Sequence, residues 1–343
     1  MWVHRRERTA TVAETLVSGS WLVFGVLTVA FALARVAGAV PSLRVQSLLY
    51  LALMVGVSLP HGGFEHVENL RGRGERFQAE YVAAYLLLVA GSLALFLLAP
   101  VAGLAVALLV TALKGGHGGV RVLETLSGAD HLRAPVPRAV AVAVRGGAIV
   151  VVPYLVSPGV YYMVASYMVS FVDPGALAPS LWLLETPVRA LVGGAYAGLV
   201  LAHLVAGWER AGDAGWRADA VETLVLVAFF AAVPPILAIG VYFPCWYATR
   251  QVARLSGAAT GGRALGRADI GRALAGFGRR AALPWVGALA ILVGMAGVVP
   301  VPPVGVVTWM AFYSVFVAVI AVPHVVVGAW LDRTQGIWSV GAS

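Results

Sequence analysis

The chain is short of charge, thiols and acidic groups, and each shortage removes a class of function. Only 12% of its 343 residues are charged, and there is one cysteine, Cys245. A single thiol excludes an internal disulfide, and with no Met or thiolate cluster a sulfur-ligated centre is excluded too. Sixteen acidic residues face 24 basic ones, and no paired-carboxylate or Ser/His/Asp arrangement stands out. The glycine run Lys114-Gly115-Gly116-His117-Gly118-Gly119 lacks the Gly-Lys-Ser/Thr ending, and its lysine precedes the glycines. It is therefore no phosphate loop. The net charge of +8 does not indicate nucleic acid, because the arginines lie in loops between apolar segments, where topology and anionic headgroups explain them.

What is present is apolar. Hydrophobic residues make up 60% of the chain and the mean hydropathy is +0.87, far above that of a soluble domain. The expected fold class is an all-α polytopic membrane protein, a single integral-membrane domain over residues 1–343. The segment Met1–Arg8 carries His4, Arg5, Arg6 and Arg8, but the first apolar run lacks a small-residue cleavage site and reads as a retained span. Runs that can cross a roughly 30 Å hydrocarbon layer lie at about Gly19–Val40, Ser47–Phe64, Glu80–Ala99, Val101–Gly116, Pro187–Trp208, Ala220–Tyr242, Ala281–Val299 and Val304–Trp330.

Arginine loops orient these spans. Arg71, Arg73 and Arg76, then Arg121 to Arg145, then the basic loop of about 248–280, belong with the N-terminus on the cytoplasmic side. That agreement requires the Gly146–Val172 stretch, broken by Pro153 and Pro158, to cross an even number of times, as a re-entrant pair or two short helices. A bundle of about eight transmembrane helices (eight to ten) in the cell membrane, with both termini cytoplasmic, follows.

Four polar motifs sit at the ends of apolar segments. They are Pro60-His61-Gly62-Gly63-Phe64-Glu65-His66, Lys114–Gly119, Tyr242-Phe243-Pro244-Cys245-Trp246-Tyr247-Ala248-Thr249-Arg250, and Pro323-His324. With this parity His61, His117, Tyr247 and His324 share one depth, His203 falls near the opposite face, and His131 lies in a cytoplasmic loop. Imidazole is costly against lipid, so several near one depth point to an internal site. Neutral imidazole is a common ligand of redox metals. Glu65, four residues after His61, can ligate or orient an imidazole, and Glu68 and Glu124 are weaker candidates for that second role. Blander readings stand beside these. A membrane histidine is often an interhelical hydrogen bond, His66 and His131 suit an interface, His203 with Trp208 reads as an interfacial anchor, and Trp246, Tyr242 and Tyr247 suit an aromatic belt. A transporter is disfavoured, because neither repeat symmetry nor an intramembrane charge pair is evident.

Taken in order, the motifs resemble those of the Brp/Blh family of membrane β-carotene dioxygenases over most of the chain. The first is similar to the family's Pro-His-Gly-x-x-Asp-His, with Glu65 for Asp. His117-Gly118-Gly119 is similar to His-Phe-Gly. The third begins the Tyr-Phe-x-x-Trp-His-x-x-Arg-His element, and Pro323-His324 with Asp332-Arg333 looks like the C-terminal segment. The resemblance implies cleavage of the central double bond of β-carotene to retinal, with O₂ and non-haem Fe(2+). It implies His61 and His117 as metal ligands, Tyr247, Gln251 and His324 as further ones, Glu65 and Glu124 as supports, and the bilayer and a rhodopsin as functional partners. The sequence departs from the family where its third motif has two histidines: Tyr247 and Gln251 stand there, and Arg121 stands where an acid is usual. A non-catalytic relative that binds or hands over retinal or carotenoid is the alternative those departures support.

Overall fold

A computed structural model describes residues 12–60, 62–63, 70, 74–210, 214–251 and 267–334. His61, Glu65, His66 and Glu68 lie outside the described residues, as does 252–266 of the basic loop. Every regular element described is helical: α1 (Val12–Val36), α2 (Leu43–Leu53), α3 (Glu75–Leu98), α4 (Pro100–Leu126), α5 (Pro135–Val156), α6 (Pro158–Ser170), α7 (Thr186–Arg210), α8 (Ala214–Ala232), α9 (Pro235–Val241), α10 (Arg267–Val298) and α11 (Val306–Thr334). Proline opens α4, α5, α6 and α9 at the first turn, where no intrahelical N–H is needed. Two helices run on without a break into π-helical turns: α2 into Met54–Ser58 and α9 into Tyr242–Ala248.

Seven helices are long and apolar enough to cross a membrane, and Leu43–Ser58 is a shorter apolar helix. The run expected as one span at Ala220–Tyr242 is a helical hairpin. The chain turns at Val233-Pro234-Pro235, so Phe230 on α8 meets Tyr242 on the return arm at 5.5 Å between ring centroids. Counted with those seven and Leu43–Ser58, its two arms make ten helical segments among the described residues.

The Gly146–Val172 stretch is two helices, but they are unequal. The first belongs to α5, which starts at Pro135 and crosses fully. The second, α6, has 13 residues, and both of its ends lie at the same end of the bundle. It follows α5 directly, while the Val301 N–H of the α10–α11 turn donates to the Phe171 carbonyl just beyond it at 3.0 Å. Arg189 of α7 then donates to the Leu155 carbonyl at 2.9 Å, which returns the chain to the end where α5 finished. This stretch thus crosses once, not an even number of times. Because Ala220–Tyr242 crosses twice rather than once, the two differences cancel, and the arginine loops still share one end.

The α4–α5 pair is the most intimate contact. A Cβ on Gly146 would collide with the Ala112 backbone, and one on Gly116 with Val142. These small residues let two backbones approach and replace side-chain interdigitation with close packing. Gly146→Val forces the helices apart and should lower stability by about 1–3 kcal/mol or more. The control is Gly194→Val, where a Cβ meets nothing within 4 Å. Thermal melting in detergent checks the difference.

Candidate functional site: a cavity junction beside a buried ion cluster

Three of the four motifs meet near the arginine-rich end. The two π-helical turns touch one another, which makes the segment leading to His61 a neighbour of the third motif. π-Turns add a residue to a helical turn, re-aim the side chains around it, and recur at functional sites. Lying against α4, the second π-turn places the Tyr247 ring and the Gln251 amide over Gly118, where any side chain would strike Tyr247. Gln251 Nε2 donates to the Gly118 carbonyl at 3.3 Å. The positions where the family motif has histidines are therefore packed on the residue after His117.

His117 Nδ1 stands 2.9 Å from the Leu113 carbonyl. A carbonyl only accepts, so Nδ1 is the nitrogen that holds the proton, and in the neutral ring Nε2 carries the lone pair. That is the tautomer a metal-binding imidazole needs, fixed by a backbone hydrogen bond. The ring is exposed. Glu124, expected as a support for this histidine, pairs with Arg138 of α5 at 3.0 Å and is engaged there.

Two cavities meet beside these residues. One, of about 200 Å³, is lined by α2, α4, α5, α6, α9 and α11 and is mostly apolar, with Leu104, Ile149, Met168 and Met310 in its wall. The other, of about 390 Å³, lies among α2, α3, α10 and α11 and is bordered by Gly62, Gly63, Tyr85 and His324. Met54, Ser58, Lys114, Val317 and Ala321 line both. His324 thus joins the second cavity, next to the glycines of the first motif. Tyr85 fixes α11 one turn earlier by donating to the Ile320 carbonyl at 3.1 Å. Lys114 stands at the junction, its ammonium 5.5 Å from the centre of the Tyr247 ring. The sequence holds a signal for it: Lys114 is the only lysine, against arginine at every other basic position outside histidine.

Sequence reasoning missed a buried ion cluster, and one expectation falls with it. An intramembrane charge pair was not evident, yet Arg145 of α5 donates to Glu222 Oε2 at 3.0 Å and to Asp219 Oδ1 at 2.9 Å, with all three side chains at most 1% exposed. Arg250, at the end of the second π-turn, pairs with Glu222 and lies 4.2 Å over the Trp246 ring. Trp21 of α1 donates to the same carboxylate at 3.1 Å. His131 Nε2 donates to Asp219 Oδ2 at 2.9 Å, and His203 Nε2 is 3.1 Å from that oxygen.

His203 and His131 are therefore at one end of the bundle and share one carboxylate. His203 was expected at the opposite face as an interfacial anchor. The single crossing of α5 reverses α7 and brings it to His131. Trp246 is likewise core rather than belt, at 1% exposure. The basic loop expected at 248–280 is also divided: Arg250 is buried, and α10 has begun by Arg267. The one available signal was the Asp219-x-x-Glu222 spacing, which sets both acids on one helical face.

A family model for Beta-carotene 15,15'-dioxygenase matches residues 52–332. The chain belongs to this family. A relative from Halobacterium salinarum, "Probable beta-carotene 15,15'-dioxygenase Brp", is 46% identical over 331 residues, covering 92% of this chain and 91% of its own length. "Probable beta-carotene 15,15'-dioxygenase Blh" of the same species is 35% identical over 306 residues, 87% of each chain. No solved structure matches. In this chain Trp246 and Arg250 hold the turn through their cation–π contact and the Arg250–Glu222 ion pair.

Removing one member of a buried ion cluster leaves its partner uncompensated, typically at about 3–5 kcal/mol. Glu222→Ala removes the carboxylate paired with Arg250, leaves Arg145 with Asp219 alone, and should lower the melting temperature far more than Glu80→Ala, which breaks the exposed Arg76–Glu80 pair. Parallel detergent melts measure this.

Proposed function

We propose that this protein is a membrane dioxygenase that cleaves β-carotene at its central double bond and releases retinal into the bilayer. Family membership supports the reaction class, and the two joined cavities are the observation that carries the reading. A symmetric polyene cut at its centre needs two apolar arms that meet at a reactive point. Here the arms meet at Ser58 and Lys114, beside the turn that carries Tyr247 and the helix that carries His117. The cavity walls are mostly apolar side chains of the bundle helices, which suits a substrate dissolved in the bilayer.

The fixed tautomer of His117 fits a resident Fe(2+), and His61, His117 and His324 are the residues we assign to hold it, with Tyr247 and Gln251 as further donors and Glu65 in support. Tyr247 supplies a phenol oxygen and Gln251 an amide oxygen, since its Nε2 is engaged with Gly118. When bound, iron supplies the one-electron chemistry that lets O₂ react with an alkene. The protein's own part is to hold the polyene straight across the junction, exclude water, and present one bond out of many. One O₂ and one double bond give two aldehydes, with no external reductant. By the arginine bias the end that carries these residues faces the cytoplasm, with both chain termini.

The second reading, a carotenoid- or retinal-binding relative without turnover, is favoured by one observation, the replacement of two motif histidines by Tyr247 and Gln251. Expression in a bacterial host that accumulates β-carotene separates the two. Loss of colour and appearance of retinal, both abolished by His117→Ala in protein that still folds, are expected. Retained β-carotene bound to folded protein, with turnover gained only on Tyr247→His plus Gln251→His, would establish the binding role.

A further inference from the structure

We infer that Lys114 is a covalent anchor for a polyene aldehyde, holding one retinal as an imine at the junction of the two cavities. The inference rests on the dioxygenase reading, because the aldehyde is that reaction's product.

Lys114 lies in the middle of α4, a helix long and apolar enough to span a membrane, and ionisable side chains in such segments are rare and mark functional sites. It is the chain's single lysine. The chemistry of the alternatives sharpens the point. A guanidinium makes excellent ion pairs but does not form an imine, whereas a primary amine is the group that condenses with carbonyls. The ion cluster and the loops use arginine, and the one primary amine on a side chain stands where two apolar cavities join.

Geometry supplies the aldehyde. If the polyene lies with one half in each arm, the new carbonyls form at the junction, while the ring ends stay deep in the arms. Lys114 lines both cavities, so either half ends beside it without turning round. The Tyr247 ring lies beside the amine, its centre 5.5 Å from Nζ. In the step, the amine nitrogen adds to the aldehyde carbon, the carbonyl oxygen leaves as water, and a C=N bond forms with no change of oxidation state. Apolar walls keep water scarce and so slow the reverse hydrolysis. Release follows either on return of water or on exchange of the C=N bond to another amine.

The test uses the purified full chain in detergent with added all-trans retinal as the probe. Borohydride reduces the imine to a stable amine, and intact mass with proteolytic mapping locates it. One retinyl group per chain, mapped to Lys114 and absent in a folded Lys114→Arg variant, is expected, with a red-shifted band from the protonated imine before reduction. Mapping on the wild-type chain does not depend on the variant's folding. No adduct, or an adduct only on the N-terminal amine, overturns the inference. The β-carotene assay is read separately. Cleavage without an adduct removes the Lys114 site and leaves the dioxygenase reading intact. An adduct without cleavage removes the dioxygenase reading and leaves Lys114 as a retinal site.

Discussion

Two arginines and two carboxylates, held out of water at one end of the bundle, set the frame around the site. Arg145 and Arg250 balance Asp219 and Glu222 in formal charge, so the cluster is neutral while its members are nearly fully buried. In a low-dielectric surrounding each charge is tolerable only beside its counter-ion. The relative positions of α5, α8 and the second π-turn are then fixed by electrostatics, and Trp21 adds α1 by a hydrogen bond to the same carboxylate. Tyr247 lies on that turn, and Arg250 and Gln251 follow just beyond it. The placement of Tyr247 and Gln251 against α4 follows from that ion pair and the cation–π contact beside it.

Close backbone approach supplies the second constraint. Gly116 and Gly146 bring α4 and α5 together without intervening side chains, and Gly118 admits the Tyr247 ring. These glycines are thus contacts between helices. Their effect on function is indirect. They place His117 and Lys114 beside the third motif, and they leave the apolar volume on the far face of α4 to the two cavities.

The departure at Tyr247 and Gln251 sits within a frame that is otherwise kept. Trp246 still stacks on Arg250, which still pairs with Glu222. Tyr247 and Gln251 carry oxygen donors, which are harder than imidazoles. Such a change tunes a site or silences it without disturbing the fold, because neither side chain takes part in the ion cluster.

By itself the sequence determined the membrane class, the family, and the four motifs, because hydropathy and short local patterns are properties of contiguous residues. It also placed His117 and Tyr247 at a common depth. Chain tracing decided the rest. The turn at Val233-Pro234-Pro235 and the full crossing of α5 are both hidden in apolar runs whose length does not say where a helix reverses. The partnership of Arg145, Asp219, Glu222, Arg250, His131 and His203 joins residues far apart in the chain, each unremarked alone. Lys114 was legible as a letter but not as a junction, since a cavity is enclosed by several helices and exists only once they have packed.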